Sequence, residues 1–464
     1  MVKQLIICIF LSVLSSALLY GQDKSVINDI LITGNHTTKE KVILRELNFK
    51  KGDTLYIYDL EKSLTLSREN LLNTSLFNYV TISTEKVSEF HLDISISVEE
   101  RWYTWPSVIL KYDDRNFSAW LKAGDLSRSM YGVSLERYNF RGRKENLKMS
   151  FLSGYANQFY VSYKNISLDR NRKHFIGADI ELSKQDEIII KTENNEPVTF
   201  NNRFRTVYER QKYTLNYLYR PLIHSRHNFF LNFFKYNAAD TIIKINPWFL
   251  LNGQSKLNCF TFDYLYTYDK RDLKAYPLEG SVFEMLIGHT ISSPSSDTKF
   301  FSTVIIPTYY RYFALNDRFH YAAGFNLKLS LTNEQSYIYS RSMGYNYNMH
   351  GFEYNTIEGQ YFLIIKNLFK ITLLNPRISE LKFIPLKKFN KIHYALYFNV
   401  FNDIGYVSDK YRTSDNSYSN KLLVSAGAGL DLVTYYDRTF RFEYSVNGFG
   451  KGGFFVHLTA PLNK

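Results

Sequence analysis

The sequence predicts a mainly β protein. A transmembrane antiparallel β-barrel of about 16 strands fills residues 102–464, preceded by one small α+β domain at 25–101. Three observations carry this expectation. Aromatics make up 17% of the 464 residues, with 38 Tyr and 36 Phe, yet hydrophobics reach only 45% and mean hydropathy is −0.28. The single long apolar run lies at the N-terminus. Behind it, apolar and polar residues alternate with period two through segment after segment, the signature of strands whose two faces meet different surroundings.

The first element is the apolar run. Lys3 supplies a positive charge, Leu5 to Leu19 is apolar or small, and Gln22-Asp23-Lys24 is polar again. This is the layout of a secretory signal peptide at 1–21 with a cut near Gly21; an N-terminal anchor is the alternative, although the run is short for spanning. Cys8 falls inside the signal, which leaves Cys259 alone and allows neither an internal disulfide nor a thiolate metal site. No metal and no cofactor are expected. No later run is long enough for a transmembrane helix, but a closed barrel crosses a bilayer with every backbone group paired to a neighbouring strand. The net charge of +13 is scattered rather than clustered. It fits a lumen, turns and acidic lipid, not nucleic acid.

The small domain reads strand, helix, helix, strand, strand. Val26, Ile30 and Ile32 alternate up to a turn at Gly34-Asn35. Thr37 and Glu40 have capping-box spacing, with Ile43, Leu44 and Leu47 on one helical face. Lys51-Gly52-Asp53 breaks that helix, and Leu60, Leu64 and Leu71 stripe a second. Phe77–Ile82 is a strand, and Leu92, Ile94, Ile96 and Val98 alternate strictly in the last.

In the barrel four segments are regular enough to assign faces. Phe319, Tyr321, Ala323, Phe325, Leu327, Leu329 and Leu331 oppose His320, Gly324, Asn326, Lys328 and Ser330. Leu422 to Leu432 opposes Ser425, Gly427, Gly429 and Asp431. Phe440, Phe442, Tyr444 and Val446 oppose Thr439, Arg441, Glu443 and Ser445. Phe260 to Tyr268 opposes Thr261, Asp263 and Thr267. A soluble sheet also alternates, but the aromatic load and the export signal favour an apolar face toward lipid. Short connections (139–143, 314–318, 434–437) alternate with long ones (185–203, 239–256, 332–358, 406–420), as periplasmic turns and outer loops do. Five strands are expected after the 332–358 loop, near 359–369, 392–406, 421–433, 438–447 and 450–460, with up to eleven before it.

The front domain resembles a POTRA domain, the periplasmic module of the BamA/TamA outer-membrane assembly superfamily. Ile32-Thr33-Gly34-Asn35, Lys51-Gly52-Asp53, Leu72 with Phe77, and the strand to Val98-Glu99-Glu100 carry the likeness. The barrel resembles the same superfamily in three places. Asp269-Lys270-Arg271-Asp272 with Pro277 and Gly280 matches its turn pattern. Phe401-Asn402-Asp403-Ile404-Gly405 matches its Phe-x-Asp-x-Gly strand, and alternation turns Phe401, Asp403 and Gly405 inward. Met349-His350-Gly351-Phe352-Glu353 stands where the family carries Val-Arg-Gly-Phe, on a loop that folds into the lumen and pairs its Arg with the strand's Asp. Here His350 replaces that Arg, exchanging a permanently charged fork for a single ring that is largely neutral at pH 7. Arg101-Trp102, Trp105-Pro106 and Asn139-Phe140-Arg141-Gly142 resemble the barrel start of members with one POTRA domain. The end departs from the aromatic terminus common in such barrels: it reads Ala460-Pro461-Leu462-Asn463-Lys464, so Phe454 and Phe455 serve within the last strand.

The resemblance implies an outer-membrane protein, with its N-terminal domain in the periplasm, that inserts β-barrel proteins or translocates a polypeptide. Its partners would be outer-membrane lipid, an unfolded outer-membrane or secreted client, and periplasmic accessory proteins. A POTRA edge could take a client strand, or the domain could merely orient the barrel. Gly448, Gly450, Gly452 and Gly453 would weaken the seam between last and first strands, or only shape a tight outer loop. A single front domain favours an accessory factor or a dedicated secretion pore over a main assembly machine. The rival reading is a passive channel or lipid transporter without a protein client. An enzyme is not expected: Glu99/Glu100 and Asp113/Asp114 are adjacent and face opposite ways on a strand, no nucleophile motif is present, and His350, Glu353 and Asp403 read as a structural cluster.

Overall fold

A computed structural model of the chain describes residues 24–112, 129–154, 156–202, 205–294, 296, 298–345, 347–381, 390–411, 416–434, 436 and 438–459. The signal segment 1–21 with Cys8, the Asp113/Asp114 pair and the end at 460–464 lie outside these. The chain divides into two compact units between Arg101 and Trp102.

The first unit is a four-stranded sheet under two helices. In chain order it runs β1 (Lys24–Thr33), α1 (Glu40–Leu44), β2 (Thr54–Tyr56), α2 (Ile57–Leu72), β3 (Phe77–Lys86) and β4 (His91–Glu100), with sheet order β2-β1-β4-β3. β1 and β4 are parallel at the centre, and β2 and β3 are antiparallel edges. The alternation of β4 places Leu92, Ile94, Ile96 and Val98 in the core. Four local expectations need correction. β2 is an added strand, too short to leave an alternating trace. A bulge between Ile27 and Asp29 changes the phase of β1, so Ile27 rather than Val26 is fully buried. Leu44 is 39% exposed, and Val42, Ile43, Leu47 and Phe49 fill the core instead. The capping box does not form: Lys39 is the N-cap of α1, without a side-chain cap. The Glu100 carboxylate instead accepts the N–H of Thr37 at 3.0 Å and of Thr38 at 2.6 Å. A carboxylate buried at the end of β4 thus satisfies donors that local sequence leaves open.

The second unit is a sixteen-stranded antiparallel sheet. Eleven strands precede the long loop: β5 (Thr104–Tyr112), β6 (Ser129–Phe140), β7 (Glu145–Gly154), β8 (Ala156–Ser167), β9 (His174–Gln185), β12 (Tyr208–Tyr219), β13 (Ser225–Ala238), β14 (Lys256–Asp269), β15 (Gly280–Ser292), β16 (Phe301–Ala314) and β17 (Phe319–Thr332). Five follow it: β20 (Tyr361–Glu380), β21 (Lys391–Ser408), β22 (Leu422–Thr434), β23 (Arg438–Asn447) and β24 (Gly452–Thr459). The remaining pieces sit in outer loops: the hairpin β10 (Glu187–Glu193) and β11 (Glu196–Asn201), α3 (Asp240–Ile245), α4 (Tyr337–Ser340), and the small pair β18 (Arg341–Met343) and β19 (Ile357–Glu358). Each barrel strand pairs with its neighbours in sequence, so the sheet is a meander.

The faces fall as alternation demands. Leu422, Leu430, Phe442, Tyr444, Leu331 and Phe262 are exposed on the outside. Ser425, Asp431, Thr439, Glu443, Lys328 and Thr261 are buried on the inside. Exposed apolar side chains outside a sheet with a polar interior are what lipid requires and water opposes. Phe454 and Phe455 both lie in the last strand, on opposite faces at 59% and 1% exposure.

The start of the sheet touches the β22–β23 turn, near its other end. The Trp102 N–H donates to the Tyr436 hydroxyl at 3.2 Å, and Trp105 packs edge-on against Tyr436 with centroids 5.3 Å apart. Tyr436 lies in the turn between β22 and β23. Among the described residues, however, β5 and β24 share no ladder pairing. β20 and β21 are the longest strands, and they outrun their neighbours. β17 accompanies β20 only to Ile371, and β22 accompanies β21 only from Ala395. Beyond these points, residues 377–380 and 391–394 pair only with each other.

Candidate functional site

The long loop between β17 and β20 does not stay outside. It is apolar where it touches the wall: Met343, Met349, Phe352 and Ile357 are buried against Phe362, Ile364, Val407, Tyr418 and Leu423. Phe352 meets Tyr418 and Phe449 edge-on at 5.6 and 6.3 Å. Gly405 makes room for the loop, because a Cβ there would lie 2.8 Å from the Met349 sulfur. The Gly351 carbonyl accepts the Asn447 side-chain N–H at 2.8 Å.

His350 stands at the centre. Its backbone N–H donates to Asp403 Oδ2 at 3.0 Å, and its Nδ1 lies 2.8 Å from the same oxygen. The ring stacks on Phe401 with centroids 4.0 Å apart. Its Nε2 is 3.8 Å from Glu443 Oε2 on β23, and Lys366 on β20 is 4.0 Å from Asp403. His457 on β24 completes the group, 3.3 Å from Glu443 Oε1. Asp403 and Glu443 are each 1% exposed, so these polar contacts work in a site sheltered from water. The motif residues Met349–Glu353 and Phe401, Asp403 and Gly405 therefore come together, whereas Lys366, Glu443 and His457 were not foreseen in this role. Alternation put Glu443 on the inner face, but nothing in the sequence links it to His350.

The turn motif builds a second interior contact. Arg271 grips Asp269 with two side-chain bonds of 2.9 and 3.0 Å, and Asp272 accepts the Leu278 N–H at 3.2 Å. Gly280 has φ +99, and a Cβ there would lie 2.1 Å from the Lys270 carbonyl oxygen, so only glycine fits the turn. Pro277 offers its carbonyl to Lys370 at 3.2 Å. The turn extends into the lumen through Tyr276, whose hydroxyl donates to Asp431 at 2.8 Å and whose ring packs on Tyr397 at 4.6 Å. Arg441 holds Asp431 with bonds of 2.7 and 2.9 Å. Between this contact and the loop remains a cavity of about 670 Å³, lined by Arg226, Arg271, Lys366, Lys370 and Arg441 among others.

The four glycines divide. Gly448 and Gly450 belong to a tight outer turn in which Asn447 Oδ1 accepts the N–H of Phe449 and of Lys451, each at 3.1 Å. Gly452 and Gly453 pair regularly with Val446 and Ser445 at the start of β24.

Residues 25–101 match the POTRA family, described as surface antigen variable number repeat. No curated protein matches the chain. Among solved structures the chain is similar to BamA from Haemophilus ducreyi lacking POTRA domains 1–3, at 16% identity and TM-score 0.50, over 94% of this chain and 84% of that one. It is also similar to CdiB from Escherichia coli at 14% identity and TM-score 0.53, over 94% and 76% of the two chains. CdiB from Acinetobacter baumannii gives 12% identity and TM-score 0.50, over 94% and 73%.

Proposed function

We propose that this BamA-type outer-membrane barrel, with one POTRA domain ahead of it, hands polypeptides into or across the outer membrane. The observation that carries the reading is the seam. Every barrel strand but two has ladder partners on both sides; β5 and β24 have none toward each other among the described residues. The end strands of a sheet are templates for an incoming strand, and a seam without a regular ladder costs less to open than one with it. The first unit offers a further edge, the ten-residue β3, on which a client could add a strand.

A passive channel fits less well. The loop carrying His350 occupies the lumen and is tied to three strands, and the turn at Tyr276 is tied to β22 from below. A conduit that admits solutes at rest has no use for two such obstructions.

The test is a quantitative outer-membrane proteome after depletion of the protein. Loss of many barrel proteins supports assembly. Loss of one secreted or surface protein supports dedicated translocation. An unchanged proteome overturns the proposal in favour of a channel or lipid transporter.

A further inference from the structure

The lumen cluster crowds carboxylates from the loop and from two strands. Glu353, Asp403 and Glu443 are three carboxylates, each 2% exposed or less. Lys366 is the ammonium beside Asp403. Buried, uncompensated charge is costly, by several kcal/mol per ion. His350 is committed to Asp403 through Nδ1. Glu443 Oε2, by contrast, has no hydrogen-bond partner although it is shut away from solvent.

The same carboxylate belongs to a group of possible ligands. Glu353 from the loop, Glu443 from β23 and His457 from β24 each offer one ligand atom, and these atoms lie within 4.8 Å of one another. Contraction of such a triad onto one ion requires only side-chain movement, because a metal–ligand distance of about 2.0–2.2 Å spans at most about 4.4 Å between opposed ligands. The donor set is selective. One imidazole with two carboxylates suits a borderline ion such as Zn²⁺, whereas Mg²⁺ and Ca²⁺ prefer all-oxygen shells. A dication would also offset the repulsion between the two adjoining carboxylates.

We propose that Glu353, Glu443 and His457 form a zinc-type divalent cation site that straps the lumen loop to the last two strands of the barrel. The three ligands come from three elements, so the ion would join the loop directly to the seam strand β24. Removal of the ion would leave the loop held by its apolar packing and by the hydrogen bonds of His350 and Gly351.

The experiment uses the full chain folded in detergent micelles, stripped with chelator and then given equimolar ZnCl₂ or MgCl₂. Bound metal is measured after gel filtration, and barrel unfolding is followed by heat-dependent gel mobility. Only material that keeps the folded mobility is scored, so misfolded variants do not enter. The expected result is one Zn²⁺ per chain, a raised unfolding temperature with ZnCl₂ but not MgCl₂, and loss of both effects in Glu353→Gln and in His457→Gln. Absence of zinc from the folded wild-type barrel would overturn the proposal. So would equal stabilisation by Mg²⁺, which needs no imidazole, or zinc retained in both variants, which would place it elsewhere.

Discussion

His350 shows how one residue can replace a charge with geometry. Its ring and its own backbone N–H converge on a single Asp403 oxygen while its face rests on Phe401. His350→Ala removes the ring contact and leaves a buried carboxylate less satisfied. It should lower barrel stability by about 1–3 kcal/mol, read as a drop in the temperature at which the folded gel mobility is lost. His350→Arg restores a charged donor toward Asp403 and Glu443 and should keep or raise that temperature; a clear fall would show that the stacked ring, not the ionic contact, is what the loop needs. Glu358, on the loop hairpin, is held up to about 7 chiefly by burial, with Asp409 adding repulsion and Thr192 and Arg341 opposing. Its unfolded value is near 4.5, so the folded state keeps the proton longer. The contribution of Glu358 to stability is therefore greatest below about pH 4.5, is lost as pH rises to about 7, and is level above. Glu358→Gln should remove that component, worth on the order of 3 kcal/mol, in unfolding measured at several pH values across the window.

At the scale of elements, two substitutions probe connections that hold the fold. Glu100→Gln leaves a poorer acceptor for the Thr37 and Thr38 amides and should destabilise the first unit by about 1–2 kcal/mol, measurable by denaturant unfolding of the full chain with a probe confined to residues 25–101. Gly280→Ala forces a Cβ into the Lys270 carbonyl and should shift the β14–β15 turn, freeing Tyr276 from Asp431; loss of folded yield without loss of expression would be the readout. The strands were legible because period-two alternation is written locally: β17, β21, β22 and β23 each declare their faces. What stayed hidden depends on partners far away in sequence. The bulge in β1 is a matter of its register with β4. The cap on α1 comes from Glu100. Glu443 and His457 join His350 only because the loop turns inward, and no spacing records that. Nothing local marks Tyr276, whose bond reaches Asp431, 155 residues further along the chain.

For the molecule as a whole, the lumen loop and the Tyr276 turn should make the resting barrel a poor conductor. Single-channel recordings in planar bilayers are expected to give rare, brief openings for the wild type and frequent ones for Asp403→Ala, which removes the acceptor shared by the His350 ring and backbone. Steady high conductance in the wild type would refute this account of the loop.

The hairpin formed by β20 and β21 crosses two regimes along one pair of strands. Up to Ile371 and from Ala395 it lies within a wide sheet; past them it is a ribbon of two. A lone two-stranded ribbon is marginal in water, and local opening ranges from almost free to as costly as global unfolding. In heavy water the amides of Ile378 and Ser379 should therefore trade their protons within the earliest time points. Those of Ile364 and Ile365, a few turns of the pleat away on the same strand, should keep theirs until the barrel itself gives way.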